Sequence, residues 1–303
     1  MIVFIISFIV SISISLSIEP KSLYSSQDRA TLINTVETRN CYVSYVKIKG
    51  VVYLVKQKKD PKKLMAVIKD ALSAWIAEIF EVAHHVQVIS SDENFPGKVK
   101  KFLPATLHTL APGKTVREQK NSKFNALRLR QLWARATSFN EKGLTKPILH
   151  FMSWHRQLPI IVALDLFIGN SDRHCGNLCY DPEKDSFCAI DMDDTFNKDL
   201  CAFACKKLKA MMHDKNLSFS KEEIRAIIIM RDALKLLLHT HKPNNTIKKL
   251  YYFAYQAGFS NNNSLYDVRA KNKLKHYEKI IRRTYISVQK LINLLNIIVM
   301  KYS

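Results

Sequence analysis

Asp172, Asn177 and Asp191 are spaced so that two oxygen ligands and a proton acceptor can be brought together. They lie in residues 161–196, IVALDLFIGNSDRHCGNLCYDPEKDSFCAIDMDDTF. The stretch reads as an apolar helix, a polar loop and two short strands, with an acid at the end of the second strand. Asp172 and Asn177 are five residues apart in a loop too polar and too tight to be helix, and Gly176 lets the backbone turn there. Asn177 opens a strand, Leu178-Cys179-Tyr180, and Asp181-Pro182-Glu183-Lys184-Asp185 reads as a turn. Phe187-Cys188-Ala189-Ile190 returns antiparallel and delivers Asp191, fourteen residues beyond Asn177, beside the start of the hairpin. An Asp that orients a hydroxyl, with an Asn and a second Asp that hold Mg²⁺ against a triphosphate, is what phosphoryl transfer from ATP needs. Asp193 and Asp194 stand close enough in sequence to add a ligand.

DRHCGN resembles the D-R-H-x-x-N catalytic loop of phosphatidylinositol 3- and 4-kinases, and AIDMDD stands where that family has its I-D-F-G-type segment. GNSDRHCGN is also similar to the N-x-D-x-H-x-x-N of HipA-type bacterial kinases and related effectors. The resemblance implies Asp172 as catalytic base, Asn177 and Asp191 as Mg²⁺ ligands, and His174 as a phosphate or transition-state contact. Asp193 departs from the lipid-kinase pattern, which has Gly there.

Such a site needs a lysine for the phosphates, placed by a strand. Residues 41–57, CYVSYVKIKGVVYLVKQ, are dense in β-branched and apolar side chains, with Lys49-Gly50 between two runs: a β-hairpin. The second run ends at Lys56, the candidate for the phosphates; Lys58 and Lys59 are its neighbours. Residues 62–85 form an amphipathic helix with Leu64, Val67, Ile68, Leu72, Trp75, Ile76, Ile79 and Phe80 at helical spacing. The kinase resemblance implies an acid on this helix that pairs with the lysine; Asp70 leads over Glu78 and Glu81 because it lies early, before a small-residue stretch. Lys98–Pro104 reads as a strand before the hinge between lobes, with adenine near Phe102 and Leu103. No G-x-G-x-x-G or G-x-x-x-x-G-K-[ST] occurs among the 7 glycines, which argues against Rossmann and P-loop enzymes. The phosphate loop is then Thr38-Arg39-Asn40 or the Lys49-Gly50 turn.

After Asp191 the chain turns helical, with a capping-box signature at Ser220 and Glu223 and a long basic-apolar helix at the end. The expected class is α+β: a protein-kinase-like fold of two lobes, a small β-rich N-lobe over 19–110 and a larger, mainly helical C-lobe over 111–303. Residues 1–18, MIVFIISFIVSISISLSI, carry no charge and read as a signal or anchor segment, which predicts a secreted or membrane-associated protein. The net charge of +21 calls for an anionic partner. Lys206, Lys207 and Lys209 follow Asp191 where phosphoinositide kinases read inositol phosphates, so an anionic membrane, a phosphoinositide or a protein hydroxyl is the expected partner. No zinc-finger, RNA-recognition or homeodomain signature accompanies the charge, which argues against nucleic acid. The six cysteines lack C-x₂-C spacing and read as free thiols rather than a zinc site. ATP and Mg²⁺ are the expected cofactors. The competing reading is a degenerate kinase fold that binds anionic membrane or inositol phosphates without catalysis.

Overall fold

The computed structural model describes residues 23–25, 28–60, 63, 65–119, 144–259 and 265–302. Ala30–Glu37 (β1), Cys41–Ile48 (β2) and Val51–Lys58 (β3) form an antiparallel meander. Lys49 and Gly50 both take positive φ, 49° and 85°, the backbone of a type I′ hairpin turn whose twist matches that of the strands. Val86–Ile89 (β4) and Ala105–Thr109 (β5) complete a five-stranded sheet in the order β1-β2-β3-β5-β4.

Between β3 and β4 runs a helix, Met65–Ala77 (α1), followed by a 3₁₀ turn, Glu78–Phe80. It is shorter than the 62–85 pattern predicts, because Glu81 adopts left-handed geometry (φ 55°) and closes the last turn with its N–H to Glu78 O. Of the thirteen residues of α1 all but Ala66 and Trp75 are buried, so the helix is enclosed rather than one-faced.

The segment expected as a strand, Lys98–Pro104, is a loop that leads into β5. Lys98 Nζ donates to three carbonyls, those of Ser90, Ser91 and Glu93, at 2.6–2.9 Å. The Gln57 side chain takes up Lys100 N–H, Lys100 O and Leu103 O. Gln57 thereby satisfies backbone groups of the segment that a strand would have paired, and Pro104 precedes the strand instead of ending it. The chain leaves the sheet at Thr109 and begins Lys114–Thr115 (β6) five residues on.

β6 pairs with Leu178–Asp181 (β7), and β7 with Ser186–Ala189 (β8), in a second antiparallel sheet. Around it lie the helices Lys146–Met152 (α2), Leu158–Ile168 (α3), Leu200–Met212 (α4), Lys221–Thr240 (α5), Pro243–Gln256 (α6) and Leu265–Tyr302 (α7). The capping box at Ser220 and Glu223 closes reciprocally at the start of α5. The architecture is therefore α+β, a small antiparallel sheet lobe on a larger helical one, as the sequence pattern predicts.

The core is divided unevenly. Val46, Ile48, Val55, Ile89, Phe95, Ala105 and Leu107 form a small cluster under the first sheet. The apolar side chains of α1 belong instead to the large cluster shared with α2–α7 and the β7–β8 hairpin. All six cysteines are free. The expectation of secretion or membrane association is corrected: no helix among the described residues is long and apolar enough to cross a membrane. Residues 1–18, on which that expectation rested, lie outside the described residues.

Candidate active site

The catalytic-loop candidates follow a helix that stops sharply. Gly169 closes α3 with φ +66°, and its N–H returns to Asp165 O. A Cβ at this position would sit 2.4 Å from Lys198 O, so only glycine fits. Asn170 then turns the chain: its Oδ1 accepts from Asp172 N–H at 3.1 Å and its Nδ2 donates to Asp165 Oδ1 at 2.9 Å. Asp172 thus leaves the helix with its carboxylate largely exposed.

Arg173, unassigned by sequence reasoning, anchors the loop. Its guanidinium is fully buried and forks onto the buried carboxylate of Asp165, Nε to Oδ2 at 3.0 Å and Nη2 to Oδ1 at 2.9 Å. Nη1 reaches the carbonyls of Asn177 and, at 2.9 Å, Ile190. One side chain therefore fixes the backbone at one candidate metal ligand and immediately before the other. Ile190 N–H also donates to Asn177 O at 3.1 Å, so the hairpin brings Asn177 and Asp191 together as its spacing predicts. The Asn177 amide donates to Asp172 O at 2.9 Å, which leaves its Oδ1 as the candidate ligand atom.

Asp191 adopts φ 54°, and its carboxylate is met from the sheet lobe by Lys56. Lys56 also contacts Asp193 at 3.1 Å, and Asp193 pairs with Lys58. Burial opposes a charged Lys56, but Asp70, Asp191 and Asp193 outweigh it and raise its pKa. Burial likewise pushes Asp193 up, and the two lysines overcome this and bring it down to about 2. Asp193, the residue that departs from the lipid-kinase pattern, is thus tied to the lysine strand. Asp194 instead accepts from Ser171 Oγ at 3.1 Å and from the Asn197 amide.

Asp70 is buried on α1 among the charges of this centre, but it makes no ion pair with Lys56, which pairs with Asp191 and Asp193. Glu78 pairs with His85, and Glu81 is exposed. His174 accepts Gly176 N–H on Nδ1 at 3.0 Å, which leaves Nε2 as its donor nitrogen, 4.0 Å from Asp172 Oδ2. Desolvation, together with Asp194, Asp191 and Asp193, raises the Asp172 pKa against the pull of His174, which makes it a better proton acceptor.

The Thr38–Asn40 turn lies at the Lys58 end of the sheet, where Cys41 faces Lys58; the Lys49-Gly50 turn lies at the opposite end. Of the two phosphate-loop candidates, the first is on the side of the site. Phe102 is exposed, Leu103 is buried, and both precede β5 rather than follow it. Lys206, Lys207 and Lys209 fall on α4; Lys206 and Lys209 are exposed, and Lys207 lies over the Phe203 ring. None of the three makes an ion pair with the acids of the site.

No group of three or more His, Cys, Asp or Glu side chains is arranged to hold a metal among the described residues. The donor set that is present, Asn177 Oδ1 and the Asp191 carboxylate, offers hard oxygen ligands from few side chains. That suits Mg²⁺, which keeps waters and takes phosphate oxygens for the rest of its shell.

No protein-family model matches the chain, and no curated protein matches it. Among solved structures it is similar to the Helicobacter pylori proinflammatory kinase CtkA, at 12% identity and a TM-score of 0.47, over 91% of this chain and 98% of that one. It is also similar to a presumed aminoglycoside phosphotransferase from Ralstonia eutropha, at 8% identity and a TM-score of 0.34, over 96% of this chain and 98% of that one.

Proposed function

We propose that the protein is a kinase: a phosphotransferase that uses ATP and Mg²⁺ and passes a phosphoryl group to a hydroxyl. One observation carries this reading. A strand lysine, Lys56, and the acid Asp191 at the end of the hairpin converge from two lobes, beside a loop that presents Asp172 and Asn177. Mg²⁺·ATP, when bound, supplies the transferable phosphoryl group and the charge neutralisation around it. Asn177 and Asp191 would hold the metal. Lys56 and Lys58 would bind phosphate oxygens, below the Thr38–Asn40 turn. Asp172 would accept the hydroxyl proton, helped by its raised pKa, and the Nε2–H of His174 would donate toward the phosphoryl oxygens.

For the acceptor, the exposed Lys206 and Lys209 and the overall charge favour an anionic molecule, a phosphoinositide headgroup ahead of a protein hydroxyl. The test is transfer of labelled phosphate from ATP to a panel of phosphoinositides, inositol phosphates and basic proteins. Asp172→Ala and Asp191→Ala serve as controls. Transfer that needs both acids and Mg²⁺ is expected. A protein that is not stabilised by Mg²⁺·ATP and labels nothing would instead be the non-catalytic anion-binding module.

A further inference from the structure

The chain from Gly113 to Gln119 takes no part in the chemistry above, yet it is bonded along its length to the catalytic loop and to β7. Lys114 and Thr115 pair with Tyr180 and Cys179. Val116 N–H donates to Leu178 O at 2.8 Å, and Arg117 N–H to Cys175 O at 2.9 Å. The Gln119 amide donates to Tyr180 O at 2.8 Å. Glu118 Oε2 turns back to accept from the Thr115 N–H at 3.1 Å and the Thr115 hydroxyl at 2.8 Å, which closes the turn that carries Arg117.

Arg117 is therefore placed by the same backbone that places Asp172 and Asn177. Its guanidinium lies against Gly176. The point where a Cβ of that residue would stand is 3.1 Å from Arg117 Cζ, and 3.0 Å and 3.1 Å from Cε1 and Nδ1 of His174. Gly176 is not among the residues of positive φ, so what its missing side chain supplies is room for these two groups. The same imidazole lies 4.0 Å from Asp172 Oδ2 at its Nε2, and so spans from the guanidinium to the acid that would take the hydroxyl proton. The two arginines of this region differ in use. Arg173 is spent inside the protein on Asp165 and two carbonyls, whereas Arg117 is exposed beside the loop.

A guanidinium keeps its charge at every working pH and presents paired N–H donors that match two oxygens of a phosphate. A phosphate monoester carries roughly two negative charges at neutral pH, so it gains more from such a cation than a carboxylate does. The net charge of +21 draws it in the same direction. We propose, on the phosphotransferase reading of this site, that Arg117 is a specificity-determining residue: it binds a phosphate monoester that the acceptor already carries, and so sets the acceptor hydroxyl against Asp172. The loop that positions the proton acceptor thereby also positions the molecule that gives up the proton.

Initial rates separate this role from a structural one. The acceptors are phosphatidylinositol 4-phosphate and phosphatidylinositol, each in phosphatidylcholine vesicles, and inositol 1,4-bisphosphate in solution. Arg117→Gln, a change at an exposed side chain, is expected to raise KM for the monoester-bearing acceptors about tenfold or more. It is expected to abolish the preference for phosphatidylinositol 4-phosphate over phosphatidylinositol and to leave KM for ATP where it was. A loss confined to the vesicle acceptor or to the soluble one supports the proposal and identifies the source of the phosphate. A KM that does not move, one that rises equally for phosphatidylinositol, or one that rises for ATP instead overturns it, as does transfer confined to protein. Calorimetric titration with inositol 1,4-bisphosphate needs no transfer. Absent binding, or equal affinity of the parent and Arg117→Gln, overturns the proposal and leaves the phosphotransferase reading standing. Weaker binding by the variant, where the parent transfers phosphate to nothing, keeps a phosphate site at Arg117 and removes the phosphotransferase reading.

Discussion

Removing the Arg173 side chain should destabilise the protein far more than an ordinary surface change, by an amount that can be worked from its partners. Arg173→Ala leaves Asp165, fully buried, with the Asn170 amide as its remaining side-chain donor. Breaking a buried ion pair from one side costs about 3–5 kcal/mol. The carbonyls of Asn177 and Ile190 also lose a charged donor. Adding Asp165→Leu removes the stranded charge, so the double variant should recover part of the loss. It should still fall short of the parent by about 1–3 kcal/mol, the cost of under-satisfied carbonyls. Urea unfolding followed by tryptophan fluorescence measures both, and Mg²⁺·ATP stabilisation of each variant reports whether Asn177 and Asp191 are still held in place. If Arg173→Ala costs less than about 1 kcal/mol, or the second substitution restores nothing, the argument that this guanidinium organises both candidate ligands is wrong.

Asp193 carries an acid-side stability term. Its folded pKa of about 2 lies below the unfolded carboxylate value, so the stabilisation is present above about pH 4 and is lost as pH falls toward 2. Asp193→Asn should remove about 2 kcal/mol at neutral pH and flatten acid unfolding in that window, as measured by equilibrium unfolding at a series of pH values. Gly169→Ala puts a Cβ against Lys198 O in left-handed backbone and should cost about 1–3 kcal/mol, read as a lowered thermal midpoint. Ser220→Ala removes the reciprocal cap of α5 and should cost about 1 kcal/mol without altering nucleotide binding, by thermal shift with and without Mg²⁺·ATP. Lys206→Glu with Lys209→Glu on exposed α4 should raise KM for an anionic acceptor while leaving KM for ATP unchanged, by initial-rate kinetics.

What the sequence made legible is what local chemistry determines. The Lys49-Gly50 hairpin, the β7–β8 return from Asn177 to Asp191 and the Ser220 cap are each encoded within about twenty residues by turn type, alternation or spacing. The strand expected at Lys98–Pro104 failed because a local apolar-basic pattern cannot reveal that Gln57, on β3, consumes backbone groups such a strand would need. The long-range partners were equally hidden. That Arg173 returns to Asp165 could have been suspected, since an acid inside an otherwise apolar helix needs a buried cation. Nothing local signals that Lys58 seeks Asp193. The acid expected to pair with Lys56 sits in the right helix, but Lys56 pairs with Asp191 and Asp193 across the chain, which no spacing rule contains.

The allegiance of α1 to the large core decides which part of the molecule is free to move. Val67, Ile68, Leu72 and Ile76 are buried in that cluster, Ser73 Oγ meets Thr195 Oγ1 at 2.9 Å, and His241 Nε2 lies 3.1 Å from Ile76 O. Withdrawing four such apolar side chains would cost on the order of 6–12 kcal/mol, comparable to the stability of an entire domain. A swinging helix is therefore too expensive to serve as an on–off device. The strands β1–β3, held by a core of seven side chains, are the cheaper body to displace. An activator or inhibitor of this protein would then work by tilting that small sheet, and with it Lys56, over a fixed floor that already contains Asp70, Asp172, Asn177 and Asp191.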